Sequence, residues 1–375
     1  MSFDINTPGS DKLDMRMATM AYAERSEITT SLSSLVKAYE QWIQELSGQI
    51  KDIEEGLRNT ANEHLRLCKE AAARMRSGID ALASDEHAFS AFKLANEAML
   101  MQRSHTLIQS TKRFPEESEA MPTSYDDRSQ GEPSSWRPFQ LAFLLMGVES
   151  LVAEDSKFKD IVDLIWFPTG GGKTEAYLGL TAFTIFYRRL INKNEVSGGT
   201  TVLMRYTLRL LTSQQFQRAC TLICACEKLR LKQDSLGSDR ISIGLWLGGG
   251  STPNSIKDAE YRLAELMRQG DSSANNPFQV LSCPWCGTHM VKKNSRGVNG
   301  YRIKSRPSRF VMWCPNSRCD FHEELPIWIT DEDVYREAPT LLFGTVDKFA
   351  MLPWKPDAAR ILLLMKATIH CHRNW

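Results

Sequence analysis

The sequence has 375 residues, which is long enough for two or three domains, and its 42% hydrophobic residues can supply a core. The 46 Lys and Arg residues nearly balance the 45 Asp and Glu residues. Composition therefore excludes a disordered tail and a fibre. It also excludes a protein that attracts nucleic acid through its whole surface, so such binding must depend on local basic patches.

The N-terminal residues lack the basic start and the apolar core of a secretory signal. No apolar run approaches the roughly 20 residues that a membrane-spanning helix needs. We therefore predict a cytoplasmic protein without a membrane partner. Four of the nine cysteines form two close pairs, which in a reducing compartment indicate a metal site rather than disulfides.

The N-terminal part, residues 1–112, is predicted to be a helical, coiled-coil-like domain. Apolar residues recur there at steps of three and four residues, as expected for a helix hairpin or small bundle. A second helix can start at Ser84, whose hydroxyl would cap the helix N-terminus. Asp85 and Glu86 would then lie in the first turn, where the helix dipole favours negative charge. The apolar series is Leu32, Leu35, Tyr39, Trp42, Leu46, Ile50, Ile53 and Leu57.

Residues 113–135 are rich in Pro, Ser, Asp, Glu and Gly, which predicts a linker. After it, short apolar segments with strand character alternate with helical segments. This alternation predicts an α/β fold with a parallel sheet of βαβ units. The predicted strands are 161–167, 200–204, 241–247 and 340–344.

The most specific motif is Phe-Pro-Thr-Gly-Gly-Gly-Lys-Thr at residues 167–174, between a predicted strand and a predicted helix over 175–190. Its glycines let backbone N–H groups point at phosphate oxygens, and the helix N-terminus adds its positive dipole end. Lys173 would neutralise the outer phosphates and Thr174 would bind Mg²⁺, so both are candidate catalytic residues. We predict that ATP is held by Thr169, Gly170, Gly171, Gly172, Lys173 and Thr174.

Two cysteine pairs predict a zinc ribbon over residues 283–325. The pairs are Cys283-Pro-Trp-Cys286 and Cys314-Pro-Asn-Ser-Arg-Cys319. Four thiolates complete a tetrahedral Zn²⁺ shell with no site for water, so the predicted metal is structural. The neighbouring His289 and His322 leave the identity of one ligand open, and four unrelated thiols are the alternative.

A basic segment lies between the cysteine pairs, because residues 291–310 contain no Asp or Glu. Its cations can contact successive phosphates of a nucleic-acid strand, and the aromatic residues among them can stack on bases. The segment predicts DNA contact, with a solvated surface as the alternative. The cations are Lys292, Lys293, Arg296, Arg302, Lys304, Arg306 and Arg309, and the aromatic residues are Tyr301, Phe310 and Trp313.

The order of these motifs resembles that of superfamily 2 helicases, and among them a helicase of the DISARM anti-phage system. These proteins replace the first glycine of the general phosphate-loop signature, and Phe167 stands at that position here. The resemblance covers residues 136–355. It implies a RecA-like lobe over 136–282 that continues over 326–355 after the zinc-ribbon insertion.

Further motifs resemble family elements closely enough to imply roles for individual residues. Arg137-Pro-Phe-Gln140 resembles an element whose Gln reads the adenine edge, which implies that role for Gln140. Three segments, 200–209, 246–250 and 343–349, resemble turns that touch the nucleic-acid backbone without reading sequence. The implied DNA-contacting residues are Arg205, Thr207, Arg209, Gly248, Gly249, Thr345 and Lys348.

One acidic candidate and the tail depart from the family. Asp331-Glu332-Asp333 precedes Thr345, whereas the family places its acidic pair after that turn, so we interpret this segment as a surface connection. Residues 356–375 form an atypical tail. We expect the sequence to stop before the acidic-pair motif and the second RecA-like lobe, which would leave this chain catalytically incomplete by itself.

The favoured hypothesis is the ATP-binding N-terminal part of a superfamily 2 DNA helicase or translocase in anti-phage defence, with other defence subunits as partners. One alternative is another phosphate-loop ATPase with a coiled coil, against which the motif order after Lys173 argues. The other is a non-catalytic zinc-ribbon DNA-binding module. That module would bind DNA independently of ATP and of the change Lys173→Ala.

Overall fold

The computed structural model describes residues 13–111, 122, 124–125, 134–165, 171–192, 198–206, 213–269, 276–291, 300–358 and 361. The chain folds as two units. The first comprises Met1–Glu97 and Asp126–Phe183, and the second comprises Ala98–Tyr125 and Thr184–Trp375. The division passes through two helices and does not follow the predicted domain boundaries, which stay predictions. Within the described ranges, every helix is too short or too polar to cross a membrane.

The first unit is built from helices. Its central hairpin pairs α2 with α3, and α3 also packs on α5. The predicted helix hairpin is thus confirmed, but Trp42 and Leu57 are exposed and Ile43 is buried instead. The helices are α1 (Met17–Tyr22), α2 (Arg25–Gln49), α3 (Arg58–Ser84), α4 (Glu86–Thr111), α5 (Pro138–Val152) and α6 (Lys173–Ile191); α4 and α6 continue into the second unit.

Helices α3 and α5 approach each other closely at Gly78. A Cβ atom at this position would lie 2.2 Å from the carbonyl oxygen of Leu145, which is far below a van der Waals contact. Only glycine permits this approach, because it has no Cβ to collide with the neighbouring backbone. The crossing brings α5, and with it the residues that precede the phosphate loop, against the hairpin.

Helix α4 is capped by Asp85 and not by Ser84. The Oδ1 atom of Asp85 accepts hydrogen bonds from the N–H groups of His87 and Ala88 at 2.7 and 3.0 Å. Ser84 is the last residue of α3, and its hydroxyl donates back to the carbonyl of Asp80. The prediction was one residue out, because a carboxylate satisfies two orphan N–H groups better than one hydroxyl does.

The predicted strand before the phosphate loop is wrong for the residues that the structure describes. Residues 161–165 are in no strand, and the side chain of Val162 is 92% exposed. Strand propensity stabilises a strand only where a neighbouring strand and a covering face are present. Asp163 in this segment instead pairs with Arg74 of α3, whose two terminal nitrogens donate to its carboxylate at 2.6 and 2.7 Å.

The second unit contains a parallel sheet whose described strands follow the order β1-β6-β2-β5. Its central strands β2 and β6 are completely buried. The predicted α/β class and the other three predicted strands are confirmed, with ends shifted by one or two residues. The strands are β1 (Val202–Tyr206), β2 (Ile243–Trp246), β3 (Tyr301–Ser305), β4 (Ser308–Met312), β5 (Ile327–Trp328) and β6 (Leu341–Thr345).

Strands β3 and β4 form a separate antiparallel hairpin beside the cysteine pairs. The helices of this unit are α7 (Ser213–Arg230), α8 (Ile256–Gln269), α9 (Asp331–Glu337) and α10 (Val346–Ala350). Short 3₁₀ turns occur at Ile50–Asp52 and Glu55–Leu57 in the first unit, and at Asp234–Leu236 and Leu352–Trp354 in the second.

Candidate nucleotide site and metal centre

The phosphate loop leads directly into a helix. Helix α6 begins at Lys173, immediately after Gly171 and Gly172, and the N–H groups at the start of a helix can bind an anion. Gly172 has φ of 89°, a conformation that side chains with a Cβ rarely adopt. Thr169 and Gly170 lie outside the described residues, and Thr174 lies in the first turn of α6.

Two side chains from the start of α5 hold the loop. The Arg137 guanidinium donates to the Gly171 carbonyl at 2.7 Å, and the Gln140 amide nitrogen donates to the Gly172 carbonyl at 2.8 Å. The Gln140 amide oxygen accepts the backbone N–H of Arg137 at 2.8 Å. The amide of Gln140 is therefore bonded at both ends, and the residue is 4% exposed.

Several of the predicted DNA-contacting residues that the structure describes lie at one edge of the sheet. Parallel strands end at the same edge, and the register places Arg205 and Trp246 on either side of Gly344. Arg205 and Gly248 are exposed there, whereas Thr345 is buried. The Gly249 carbonyl accepts a hydrogen bond from Arg262 at 2.7 Å. Thr207 and Arg209 lie outside the described residues.

Lys348 and the acidic segment lie near this edge and bind each other. The Lys348 ammonium lies 2.5 Å from Oδ2 of Asp331. Asp331 and Asp333 are buried at the start of α9, so the interpretation of this segment as a surface connection is wrong. Burial raises the pKa of Asp331 above its ordinary value, and Lys348 opposes that rise. Contact of Lys348 with phosphate stays a prediction.

The four predicted cysteine ligands form one buried cluster. Their sulfur atoms all lie within 4.8 Å of one another; the sulfurs of Cys286 and Cys314 are 3.3 Å apart, and those of Cys283 and Cys319 are 3.9 Å apart. A tetrahedral zinc ion with bonds of about 2.3 Å needs sulfur separations of about 3.8 Å. The cluster therefore fits a zinc ion with small adjustments.

Backbone turns aim these sulfurs inward. In the first pair, Gly287 N–H donates to the Cys283 carbonyl at 2.9 Å and Trp285 N–H points at the Cys283 sulfur at 3.4 Å. In the second pair, Phe321 N–H points at the Cys319 sulfur at 3.5 Å. Such N–H groups favour thiolates. Hydrogen bonds from Cys283, and then from the other two thiols, hold the pKa of Cys286 well below its usual range.

The neighbouring histidines stand apart from the sulfur cluster among the described residues. Nδ1 of His322 lies 2.8 Å from the carbonyl oxygen of Cys314, to which it can only donate. His289 forms a backbone bridge with Ser282. The metal-binding group comprises the four cysteines without either histidine. This favours a four-sulfur ligand set.

Two of the four described cations of the predicted basic segment are neutralised by an acid outside it. Lys304 and Arg309 bind the carboxylate of Glu324 at 2.9 and 2.8 Å, and Arg240 binds it as well. Burial by itself would raise the pKa of Glu324, but these cations outweigh it and lower that pKa. Arg306 is exposed, and Lys292, Lys293 and Arg296 lie outside the described residues.

The aromatic residues of that segment are mostly core residues. Tyr301 and Phe310 are buried, and their rings pack on Phe278 at centroid distances of 4.8 and 4.5 Å. Their predicted role as stacking platforms for bases is therefore wrong. Trp313 is half-buried, with the Arg302 guanidinium 5.7 Å from its ring centroid. The charge count could not show that most of the apolar residues of this hairpin are buried.

Comparison with known proteins adds one relative. No protein-family model matches the sequence. The chain is similar to the DISARM protein DrmA of Bacillus paralicheniformis (strain ATCC 9945a / NCIMB 11709 / CD-2), with 37% identity over 363 residues. The match covers 93% of this chain and 31% of DrmA, so the chain spans about a third of the length of that relative.

Sequence reasoning missed the residues that support the metal centre. His105 of α4 stacks on Trp285 with ring centroids 3.5 Å apart, and its Nδ1 donates to the Trp285 carbonyl at 2.7 Å. Gln109 and Thr221 donate to the Pro284 carbonyl at 2.6 and 2.8 Å. Burial lowers the pKa of His105 to about 4, so the ring is neutral at pH 7. The only sequence signal for this contact was His105 itself, a polar residue among apolar residues of a long helix.

Proposed function

We propose that this chain is the ATP-binding part of a superfamily 2 DNA helicase or translocase that acts in a DISARM-type defence system. The similarity to DrmA supports the defence context, because that relative is a DISARM protein. The motif order supports the motor. Both the activity and the partners of the whole protein belong to this proposal, since the chain covers 31% of DrmA.

The observation that carries the nucleotide part is the start of α6 at Lys173, directly after a glycine with φ of 89°. A helix N-terminus that follows a glycine turn presents several N–H groups to one anion. In this proposal those groups bind the phosphates of ATP, the Lys173 ammonium neutralises the outer phosphates, and the Thr174 hydroxyl binds Mg²⁺. Hydrolysis would further require an acidic pair and a second lobe.

The DNA part concerns the sheet edge that carries Arg205, Gly248 and Thr345. Exposed cations and a glycine turn at such an edge can approach a phosphate backbone closely without reading bases. In this proposal Lys348 exchanges its partner Asp331 for a DNA phosphate. The exchange is favourable only where the buried Asp331 carboxyl can take up a proton or another cation, because an unpaired buried carboxylate is costly.

The zinc ion would have a structural role. The residues that hold it are Cys283, Cys286, Cys314 and Cys319, and a shell of four sulfurs leaves no position for substrate. When bound, the ion supplies four strong links between two chain turns. The Pro284 and Trp285 carbonyls, which accept hydrogen bonds from α4 and α7, then keep a fixed position.

The decisive experiment is an equilibrium titration of the 375-residue chain with Mg-ATP. We expect Lys173→Ala to weaken binding by at least about tenfold, since a charge-assisted contact with phosphate contributes more than about 1.4 kcal/mol. The matched control is Lys69→Ala, which removes an exposed lysine of α3 in the same unit. Equal binding by the native chain and the Lys173 variant would overturn the proposal.

A second candidate function is a non-catalytic zinc module that binds DNA, which the closed cysteine cluster favours. Fluorescence anisotropy with a labelled duplex separates the two functions. The motor predicts that ATP changes DNA affinity and that Lys173→Ala removes this change. The zinc module predicts the same DNA affinity with and without ATP. Lys348→Ala should reduce the slope of log affinity against log salt concentration by about one, the value for one phosphate contact. Lys257→Ala, which removes an exposed lysine, is the control.

A further inference from the structure

Two consecutive carbonyl groups of the phosphate loop are bonded to side chains of α5. Arg137 donates to Gly171 O and Gln140 donates to Gly172 O. The orientation of the Gln140 amide is unambiguous: its oxygen must face the Arg137 N–H, and its nitrogen must face the Gly172 carbonyl. The two contacts therefore fix two neighbouring peptide planes of the loop.

Fixing a carbonyl also fixes the next N–H group. The peptide bonds after Gly171 and Gly172 are trans. In a planar trans peptide the C=O and N–H bonds point in opposite directions. Because both carbonyls point towards α5, the N–H groups of Gly172 and Lys173 point to the opposite side of the loop. These are the amides that a bound phosphate would need.

We propose that Arg137 and Gln140 are positioning residues that aim the Gly172 and Lys173 amides at the phosphates of a bound nucleotide, whatever its base. This inference rests on the proposed function and deepens it. It replaces the adenine-reading role of Gln140 by an action through the loop backbone. The burial of Gln140 supports it, since a base-reading amide must be reachable by a ligand that enters from solvent.

Gly172 completes this arrangement. A Cβ atom on residue 172 would lie 2.7 Å from the Gln140 amide nitrogen, so the contact requires glycine at this position. The clamp and the glycine therefore depend on each other. Because the aimed amides would contact phosphate oxygens only, the expected class of ligand is a triphosphate with any base or with none.

The test compares ATP, GTP and inorganic tripolyphosphate, each with Mg²⁺, in calorimetric titrations of the 375-residue chain. We expect Gln140→Ala to weaken all three ligands by the same factor of about two to ten, which corresponds to one neutral hydrogen bond. An adenine-reading Gln140 predicts instead that only ATP loses affinity. A loss confined to ATP, or no loss for tripolyphosphate, overturns the inference.

A second pair of variants separates the clamp from simple charge attraction. Replacing Arg137 by citrulline keeps a terminal N–H donor at the same reach for the Gly171 carbonyl without the positive charge, and Arg137→Met removes both. The clamp predicts that the citrulline variant binds tripolyphosphate better than Arg137→Met does, at high salt as well as at low salt. Equal affinities for the two variants would show that the charge alone acts on the phosphates, which contradicts the clamp.

Folding is controlled independently. Gln140→Met keeps roughly the volume of the buried side chain but cannot donate to the Gly172 carbonyl. We expect it to lose tripolyphosphate affinity at temperatures well below its unfolding temperature, so that the loss reflects the loop and not unfolding. Gln49→Ala, at an exposed position at the end of α2, should change neither property. If the native chain and Lys173→Ala bind all three ligands equally, the proposed function itself fails.

Discussion

The cysteine cluster and the phosphate loop differ in what holds them. The cysteines lie up to 36 residues apart, and helices α4 and α7 hold the first of their two turns through hydrogen bonds to its carbonyls. The phosphate loop is one contiguous segment, held by two side chains of a single preceding helix. Tertiary packing thus surrounds the cluster, whereas the loop is proposed to present its amides to a ligand. Damage to the first should cost stability, and damage to the second should cost affinity.

Removal of the proposed zinc ion should have the strongest effect. Cys286→Ser, or incubation with a strong chelator, should destabilise the second unit by about 5 kcal/mol or more, because a structural zinc site supplies folding free energy. Thermal unfolding followed by circular dichroism, with zinc release followed by a colorimetric indicator, measures this. Cys68→Ser, in the other unit, is the control. Unchanged unfolding without metal would show that packing alone closes the cluster.

Next in size is Gly172→Ala. The new Cβ would lie 2.7 Å from the Gln140 amide nitrogen and would force a φ of 89° on alanine. We expect Mg-ATP affinity to fall by at least about thirtyfold, or about 2 kcal/mol, from lost loop geometry. Gly48→Ala, where a Cβ meets nothing within 4 Å, should leave affinity unchanged. Retained affinity in the Gly172 variant would show that the loop adapts freely.

A smaller effect is expected from Asp163→Asn, in the segment that leads to the loop. Arg74, with a side chain 7% exposed, loses its charged partner while remaining buried. Because the Asp163 side chain is 29% exposed, we discount the cost of a buried pair to about 1.5 kcal/mol. Urea unfolding of the single variants and of the double variant with Arg74→Met gives the pair energy. Additive effects would mean that the pair contributes nothing.

The smallest effect concerns pH at His105. Its folded-state pKa is about 4 and its ordinary value is 6.5. Between these values the unfolded chain binds a proton that the folded chain excludes, so stability is fully present above pH 6.5 and is lost as pH falls. In zinc-saturated protein the loss from pH 6.5 to 5.5 should be about 1 kcal/mol. His105→Gln should flatten this dependence in urea unfolding, whereas the exposed His64→Gln should not.

Prediction from the sequence succeeded where a pattern is local. The helix after the glycines, three parallel strands and the two cysteine turns are each defined by residues within a few positions of one another. It failed where a partner lies far along the chain. Residues 161–165 have strand character but pair with no described strand. Lys304 and Arg309 of the basic segment pair with Glu324, which lies outside that segment.

From the amino-acid pattern alone we could infer the α/β class, the phosphate-loop motif and the four candidate metal ligands, because glycine turns, helix starts and thiol pairs depend on short-range geometry. The three-dimensional fold was needed to reveal the strand order β1-β6-β2-β5, the contact of Gln140 with the Gly172 carbonyl and the stacking of His105 on Trp285. These features depend on which faces of distant segments become buried together, and burial is a property of the whole fold.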